Sequence, residues 1–250
     1  MARKIIIILT LVGLLSPAHG ADVQLMSTDY PPYYAAGLPN GGPLTEIVTE
    51  AFAEVGHDAN IQFVPWVRAM EYAKVGKVDG LHGGWHSKER ETWFIFSEPL
   101  AVNELVFYKR RGAKPDMFTT YEKLKPFTIG IVKAYRNPAA FEAADLQTDV
   151  ADSDQTNLRK LANERIDLIL IDRALAEYLL KTELPEYKEQ LEALEPAVEI
   201  LPIYILISRK IAEHKKLLDD FNRGLKRLIS QGKVSNILEK NGLRSPTKGE

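Results

Sequence analysis

The stretch that decides how this chain folds runs from Pro65 to Pro99: Pro65-Trp66-Val67-Arg68-Ala69, then Asp79-Gly80, Ser87-Lys88-Glu89-Arg90 and Phe96-Ser97-Glu98-Pro99. Trp66 to Val75 reads as a helix stopped at Gly76, and Val78 to Gly83 as a strand that runs into the bend Gly83-Gly84. An aromatic ring, a small-residue bend and an arginine are thereby set along one helix, strand and loop. A cleft for a small charged solute can be built that way, and the pattern favours binding over catalysis.

Outward from this stretch, strand and helix signals alternate. Val23 to Met26 reads as a first strand, and Tyr30-Pro31-Pro32-Tyr33-Tyr34 as a rigid aromatic turn, since each proline fixes its own φ and restricts the residue before it. Leu44, Ile47, Val48, Ala51, Phe52 and Val55 recur at helical spacing up to Gly56, and Ile61 to Val64 is a second strand. This β-α-β-α-β order implies a parallel sheet with crossover helices. Val102 to Tyr108 is a longer strand, and a second β-α set follows: Thr128 to Val132, a helix near Asn137-Pro138, a short strand at Thr148 to Ala151, a helix from Gln155 to Asn163 and the strand Ile166 to Ile171. Val198 to Ile207 is a long apolar strand with Pro202 inside it, where the chain could cross back to the first set, and helices near Ile211 to Gly224 and Val234 to Asn241 would dock there. Two lobes are implied.

The start of the chain suggests its compartment. Met1-Ala2-Arg3-Lys4 is basic, Ile5 to Leu15 is almost unbroken apolar sequence, and Pro17-Ala18-His19-Gly20-Ala21 offers small residues for cleavage, the pattern of a signal peptide over residues 1–20. The competing reading is an uncleaved anchor, but the run is shorter than the ~20 residues that span a bilayer. The mature protein is expected to be exported and soluble. The chain has no cysteine, which excludes a disulfide framework and a lipid-modified cysteine behind the signal. Charge is near balance, 32 basic against 34 acidic residues with no basic stripe, so nucleic acid is not an expected partner.

Asp29-Tyr30-Pro31-Pro32, the glycine turn into the helix from Leu44, Asp79-Gly80, Glu89-Arg90, Phe96-Ser97-Glu98-Pro99 and Gly130-Ile131-Val132 together resemble the extracytoplasmic solute-binding proteins of polar amino-acid ABC importers, family 3. The resemblance runs through essentially the whole mature chain. It implies the type II periplasmic binding fold, an α/β protein of two lobes, each a mostly parallel sheet flanked by helices, joined by two crossover strands. Residues 21–105 and 204–250 would form the first lobe and 106–203 the second. It also implies a periplasmic monomer that closes on a small polar ligand, an amino acid or related carboxylate, and hands it to a membrane ABC permease without a cofactor or turnover.

Residue by residue, the resemblance makes Arg90 the group that grips a ligand carboxylate, and the planar guanidinium fork suits that task. The alternative is a surface arginine paired with Glu89 or Glu91. Trp66 falls where the family sets a ring against the ligand, or it packs structurally. Tyr30 and Tyr33 lie in the other ligand-contact loop, or close the Pro-Pro turn with no ligand. Gly83 and Gly84 would let the main chain approach the ligand, or make a plain turn. Asp172 matches the family aspartate that binds the ligand ammonium group, or caps the helix after it. The chain departs from the family at Lys133-Ala134-Tyr135-Arg136, where many members carry a hydroxyl residue. Tyr135 and Arg136 stand there instead, and Arg136 could supply a second cation for an anionic ligand or point to solvent.

Rival chemistries find less support. His82, His86 and Glu89 lack the helical spacing of a metal site. No nucleophile elbow, phosphate loop or dinucleotide fingerprint is present. The fold is also similar to that of periplasmic cyclohexadienyl or arogenate dehydratases, for which Glu46, His82, His86 or Asp172 could be proposed as acid or base, none of them in a specific motif. A sensory module would need a following membrane span, which the sequence up to Glu250 does not contain.

Overall fold

The computed structural model describes residues 22–246, so the signal-peptide segment lies outside the described residues. In chain order the elements are β1 (Asp22–Ser27), α1 (Pro43–Ala53), β2 (Asp58–Phe63), α2 (Trp66–Lys74), β3 (Gly80–Trp85), β4 (Phe94–Phe96), β5 (Ala101–Arg110), β6 (Ile129–Val132), α3 (Ala139–Glu142), β7 (Thr148–Ala151), α4 (Asp154–Ala162), β8 (Leu168–Asp172), α5 (Arg173–Thr182), β9 (Leu191–Ser208), α6 (His214–Ser230) and α7 (Lys233–Lys240). The strands form one curled sheet in the order β2-β1-β3-β9-β5-β8-β6-β7, with β4 also on β9. Two parallel sets, β2-β1-β3 and β8-β6-β7, are joined through the antiparallel pair β5 and β9.

The first parallel set follows from the β-α-β-α-β order. The helix α1 buries Leu44, Ile47, Val48, Ala51 and Phe52, and Phe52 meets Phe221 of α6 with ring centroids 4.9 Å apart. In the second set β8 is buried at all five positions because its two faces belong to two clusters, Ile169 and Ile171 with α4 and α5 and Leu168 and Leu170 with Leu124 and Phe141, which is why it reads as an unbroken apolar run ending in an aspartate. The helix expected near Asn137-Pro138 is a single turn, Ala139–Glu142.

The strand expected at Val198 to Ile207 is longer, Leu191–Ser208, because its acidic start pairs with the basic end of β5: Glu192 lies opposite Lys109, and their side chains bond at 2.6 Å. Pro202 sits inside this central strand opposite Val102, whose N–H turns instead to the Arg244 carbonyl at 3.3 Å. The ladder therefore needs no donor at the proline. Between Leu105 and Phe107 the β5–β9 register shifts, Leu105 facing Glu199 and Phe107 facing Leu194.

Several of the quoted motif residues hold this frame. Asp79 accepts from the Gln24 N–H at 2.7 Å, and Ser97 Oγ accepts from the Ile205 N–H at 3.1 Å while donating to the Glu98 carbonyl at 2.7 Å. They fix β3 and β4 against their neighbours, so the loop carrying Arg90 starts and ends on anchored strands.

Gly224 lies in the interior of α6, where glycine costs about 1 kcal/mol relative to alanine. A Cβ there would meet the Ala51 carbonyl oxygen at 1.8 Å, so the glycine allows α6 to lie directly on α1. Gly224→Ala is expected to lower stability by about 1–3 kcal/mol in urea denaturation, the usual cost of overpacking. Gly37→Ala, with nothing within 4 Å of the added Cβ, is the control and should stay near wild type.

Candidate ligand-binding cleft

After β3 ends at Trp85, the chain turns through Ser87, whose hydroxyl accepts the Arg90 N–H at 3.2 Å, and brings Arg90 back under the strand end. Arg90 is only 8% exposed. Its Nη1 donates to the Trp85 carbonyl at 2.7 Å, and its guanidinium lies 5.4 Å from the centre of the Trp66 ring. Among the described residues no carboxylate pairs with it, and Glu89, whose charge it feels, is exposed. Glu91 is engaged by His86 at 2.6 Å. Arg90 is thus no surface arginine: it is a buried cation without a protein anion. Burial first, and Arg136 second, lower its pKa from the ordinary value.

Around it lies a cleft of about 360 Å³, counting space open to solvent, lined by Thr28, Tyr30, Tyr34, Trp66, Gly83, Gly84, Trp85, Arg90, Tyr135 and Arg136. Gly83 has φ +78°, and a Cβ there would strike the Tyr34 ring at 2.3 Å. The Tyr34 hydroxyl donates to the Gly83 carbonyl at 2.9 Å and its ring packs on His82, centroids 4.7 Å apart. Gly83 therefore makes room first for Tyr34, while Gly84 stands beside Trp66. His82 is buried with its Nε2 3.1 Å from the Thr45 hydroxyl, and burial pushes its pKa down to about 3. His86 is exposed on the other side of the bend, so the two histidines do not converge.

Tyr30, Trp85 and Tyr135 meet as three rings, each pair with centroids 6.2 Å apart and steeply inclined. The same rings, with Arg136, Asp154 and Asp172, also border a second, tightly packed pocket with only about 10 Å³ of free space. Tyr135 borders both chambers. Arg136 also borders both, and it is held by Glu199 at 3.2 and 3.4 Å.

The structure places Tyr33 and Asp172 away from Arg90. Tyr33 is buried, and its hydroxyl donates to Asp172 Oδ2 at 3.2 Å. Asp172 caps α5, accepting the Leu175 N–H at 2.8 Å, and also takes the Glu104 N–H at 3.1 Å. Burial pushes its carboxyl up to about 6 against these donors. Beside it Asn103 is fully buried, with Oδ1 accepting from the Trp85 indole N–H at 2.5 Å and its amide acting on Asp172, whose pKa it helps to lower.

Tyr34, Trp85, Asn103 and Asp154 join the site without having been singled out by sequence. Tyr34 and Trp85 adjoin recognised elements, the Pro-Pro turn and the Gly83-Gly84 bend, and adjacency was the available signal. Asp154 reads as an ordinary acidic first-turn residue behind the Ser153 cap. In the fold it is 6% exposed, and burial drives its carboxyl up to about 7, with the Tyr135 hydroxyl pulling down and Asp172 pushing up. No helix of the described residues is long and apolar enough to cross a membrane.

The family model for bacterial extracellular solute-binding proteins, family 3, matches residues 24–243. No curated protein sequence matches the chain. Among solved structures, a histidine kinase sensor domain with similarity to periplasmic binding proteins superposes with a TM-score of 0.78 at 21% identity, covering 91% of this chain and 99% of its own. The arginine-, lysine-, histidine-binding protein ArtJ from Geobacillus stearothermophilus gives 0.75 at 18% identity, with 90% and 97% covered. ArgBP from T. maritima, as its P235GK mutant, gives 0.73 at 20% identity, with 88% and 94% covered. These likenesses establish the type II periplasmic binding fold.

A carboxyl whose pKa is higher folded than unfolded binds protons preferentially in the folded state, so it subtracts stability as pH rises. For Asp154 the loss starts near its unfolded value of about 4, continues to about 7 and is flat above. Asp154→Asn should therefore gain on wild type across that window, by at most ~1.4 kcal/mol per pH unit, in urea midpoints of ligand-free protein. A gap that stays constant with pH would mean that the carboxyl is well solvated.

Proposed function

The chain belongs to the bacterial extracellular solute-binding proteins, family 3, and we propose that it captures a small polar ligand bearing a carboxylate by hinge closure and delivers it to an ABC permease without chemical turnover. The single observation that carries this reading is Arg90, buried in the cleft with no protein carboxylate. Burying a charge is costly unless it is paired, so a site that keeps an unpaired guanidinium is complementary to an anion brought from outside. The free edge of the guanidinium can make two parallel bonds to one carboxylate, with the Trp66 face flanking it.

In this reading residues 21–105 and 204–250 form one lobe and 106–203 the other, with β5 and β9 as the crossovers. The register shift between Leu105 and Phe107 supports a hinge at that level. Arg90, Trp66, Tyr30 and the Gly83-Gly84 bend hold the ligand on the first lobe. Tyr135 and Arg136 close from the second, and the Asp172 to Tyr33 bond ties the two lobes when shut. The signal-like segment 1–20 would export the protein to the periplasm as a soluble monomer.

Arg90→Ala is expected to weaken binding of the carboxylate ligand by about 30-fold or more, from the range of about 2–5 kcal/mol for losing one partner of a buried charge pair, as read by calorimetry. Because the side chain also bonds the Trp85 carbonyl and packs on Trp66, the unfolding midpoint of the ligand-free variant is measured beside its affinity, and the comparison is made on folded protein. Unchanged affinity would sink the assignment.

A further inference from the structure

We propose that the ligand of this cleft is a carboxylate with a flat apolar body and no α-ammonium group, its carboxylate on Arg90 and its body in the groove between α2 and the Ala134-Tyr135 turn. The inference rests on the carboxylate reading of Arg90 and adds the rest of the ligand.

Free space decides which way a ligand on Arg90 can extend. Arg90 lines both the cleft and a groove of about 310 Å³ beside it. On the cleft side only about 30 Å³ is free, room for a water or two, and the pocket bordered by Asp154 and Asp172 holds about 10 Å³. The Tyr30, Trp85 and Tyr135 rings fill that direction, packed edge to face with centroids 6.2 Å apart. Of the spaces that Arg90 borders, the groove alone reaches the lower end of the size range of small-molecule sites.

The walls of the groove set the chemistry of the body. Trp66, Val67 and Met70 come from the start of α2, and Trp93 follows the turn that carries Arg90. Val67 leaves 53% of its surface to solvent. Lys74 covers the Trp93 ring at 4.1 Å and stands 3.9 Å from Glu71, so its charge is met within the protein. Two indoles and a thioether offer flat, polarisable surface to an aromatic body. Ala134 and Tyr135, from the other parallel set, complete the lining. A body in the groove therefore touches both sets, as a ligand that shifts a hinge toward closure must.

An α-ammonium finds no strong partner in that position. It is one carbon away from the carboxylate and so stays beside Arg90. Asp154 and Asp172 border the ring-filled pocket and not the groove, and Asp172 already accepts from Leu175, Glu104 and Tyr33. Of the acids that line the groove, Glu71 stands by Lys74, and Glu89 is exposed, where an ion pair is worth little. Withdrawing an ammonium from water here is therefore a cost without a matching gain.

The test is calorimetry on the purified protein, stripped of co-purified ligand. It sets 3-phenylpropanoate against L-phenylalanine and indole-3-propanoate against L-tryptophan, with propanoate and glutaramate as the small and the polar control. At least one aryl acid should bind about tenfold or more tighter than its amino-acid counterpart and than either control. Met70→Gln keeps the length of the side chain and removes its apolar character. It should weaken that aryl acid about three- to tenfold and change propanoate by less than about twofold. Should this variant fail to fold, Val67→Asn, at an exposed position, takes its place with the same split expected. Equal or tighter binding of both amino acids, or of glutaramate, overturns the inference and leaves the carboxylate reading of Arg90 standing. So does an aryl preference that the groove variant leaves untouched. No binding by any of these acids at millimolar concentration overturns both.

Discussion

The antiparallel pairing of β5 with β9 is the constraint on which the rest of this molecule depends. Each parallel set ends on one of these two strands, β3 on β9 and β8 on β5, so the relative placement of everything in the cleft is set by their register. The ladder is regular from Ala101 to Leu105, resumes at Phe107 and is broken between. A break there leaves the backbone fewer cross-strand bonds at the level where the two sets meet, and a bend can be absorbed by few residues. Tyr33, from the turn before α1, reaches across this level to Asp172 at the end of β8. The same strands therefore join the two sets and carry the register break at which the proposed hinge would lie.

Charge placement in the cleft follows from what each set can hold. The loop after β3 carries a cation and the start of α4 a carboxyl group, both buried, and Tyr135 lines the pocket beside each. Had the two charged groups paired directly, the Coulomb attraction would have offset much of their desolvation. Kept apart by a ring, each stays mismatched with its surroundings: the guanidinium is held below its ordinary pKa by burial and the carboxyl of Asp154 well above its own. Each mismatch lowers the stability of the ligand-free protein.

Much of this was legible in the sequence, and the failures have physical causes. The alternation of strand and helix gave both parallel sets, because buried parallel strands and amphipathic helices leave unambiguous apolar patterns. The first third of β9 was not legible: Leu191 to Ala197 contains three acidic or proline positions, and what makes it a strand is the basic partner edge at Lys109 to Arg111. In β4, three residues are too few to carry a period, and the pairing with β9 decides them. Arg90, Trp66 and Tyr30, which line one cleft, stand in linear motifs. Tyr34 and Asp154 escaped because their roles depend on contacts distant in sequence, Tyr34 on the missing side chain of Gly83 and Asp154 on burial against Tyr135.

The segment Lys133 to Arg136, where the chain departs from its relatives' usual residues, also holds a backbone anomaly. Ala134 has φ +62°, a left-handed conformation that costs a residue with a Cβ roughly 1–2 kcal/mol. It persists because both flanks are tied down, the Lys133 N–H to the Ala151 carbonyl at 2.9 Å and the Tyr135 N–H to the Val132 carbonyl at 3.2 Å. The turn brings Tyr135 off the end of β6 into the space between Tyr30 and Trp85. A serine or threonine at this position would present a hydroxyl at short reach; tyrosine presents a ring first and a hydroxyl farther out, close enough to act on Asp154. The strained turn thus fixes an aromatic ring, and not a short hydroxyl side chain, at the end of β6, packed against Tyr30 and Trp85.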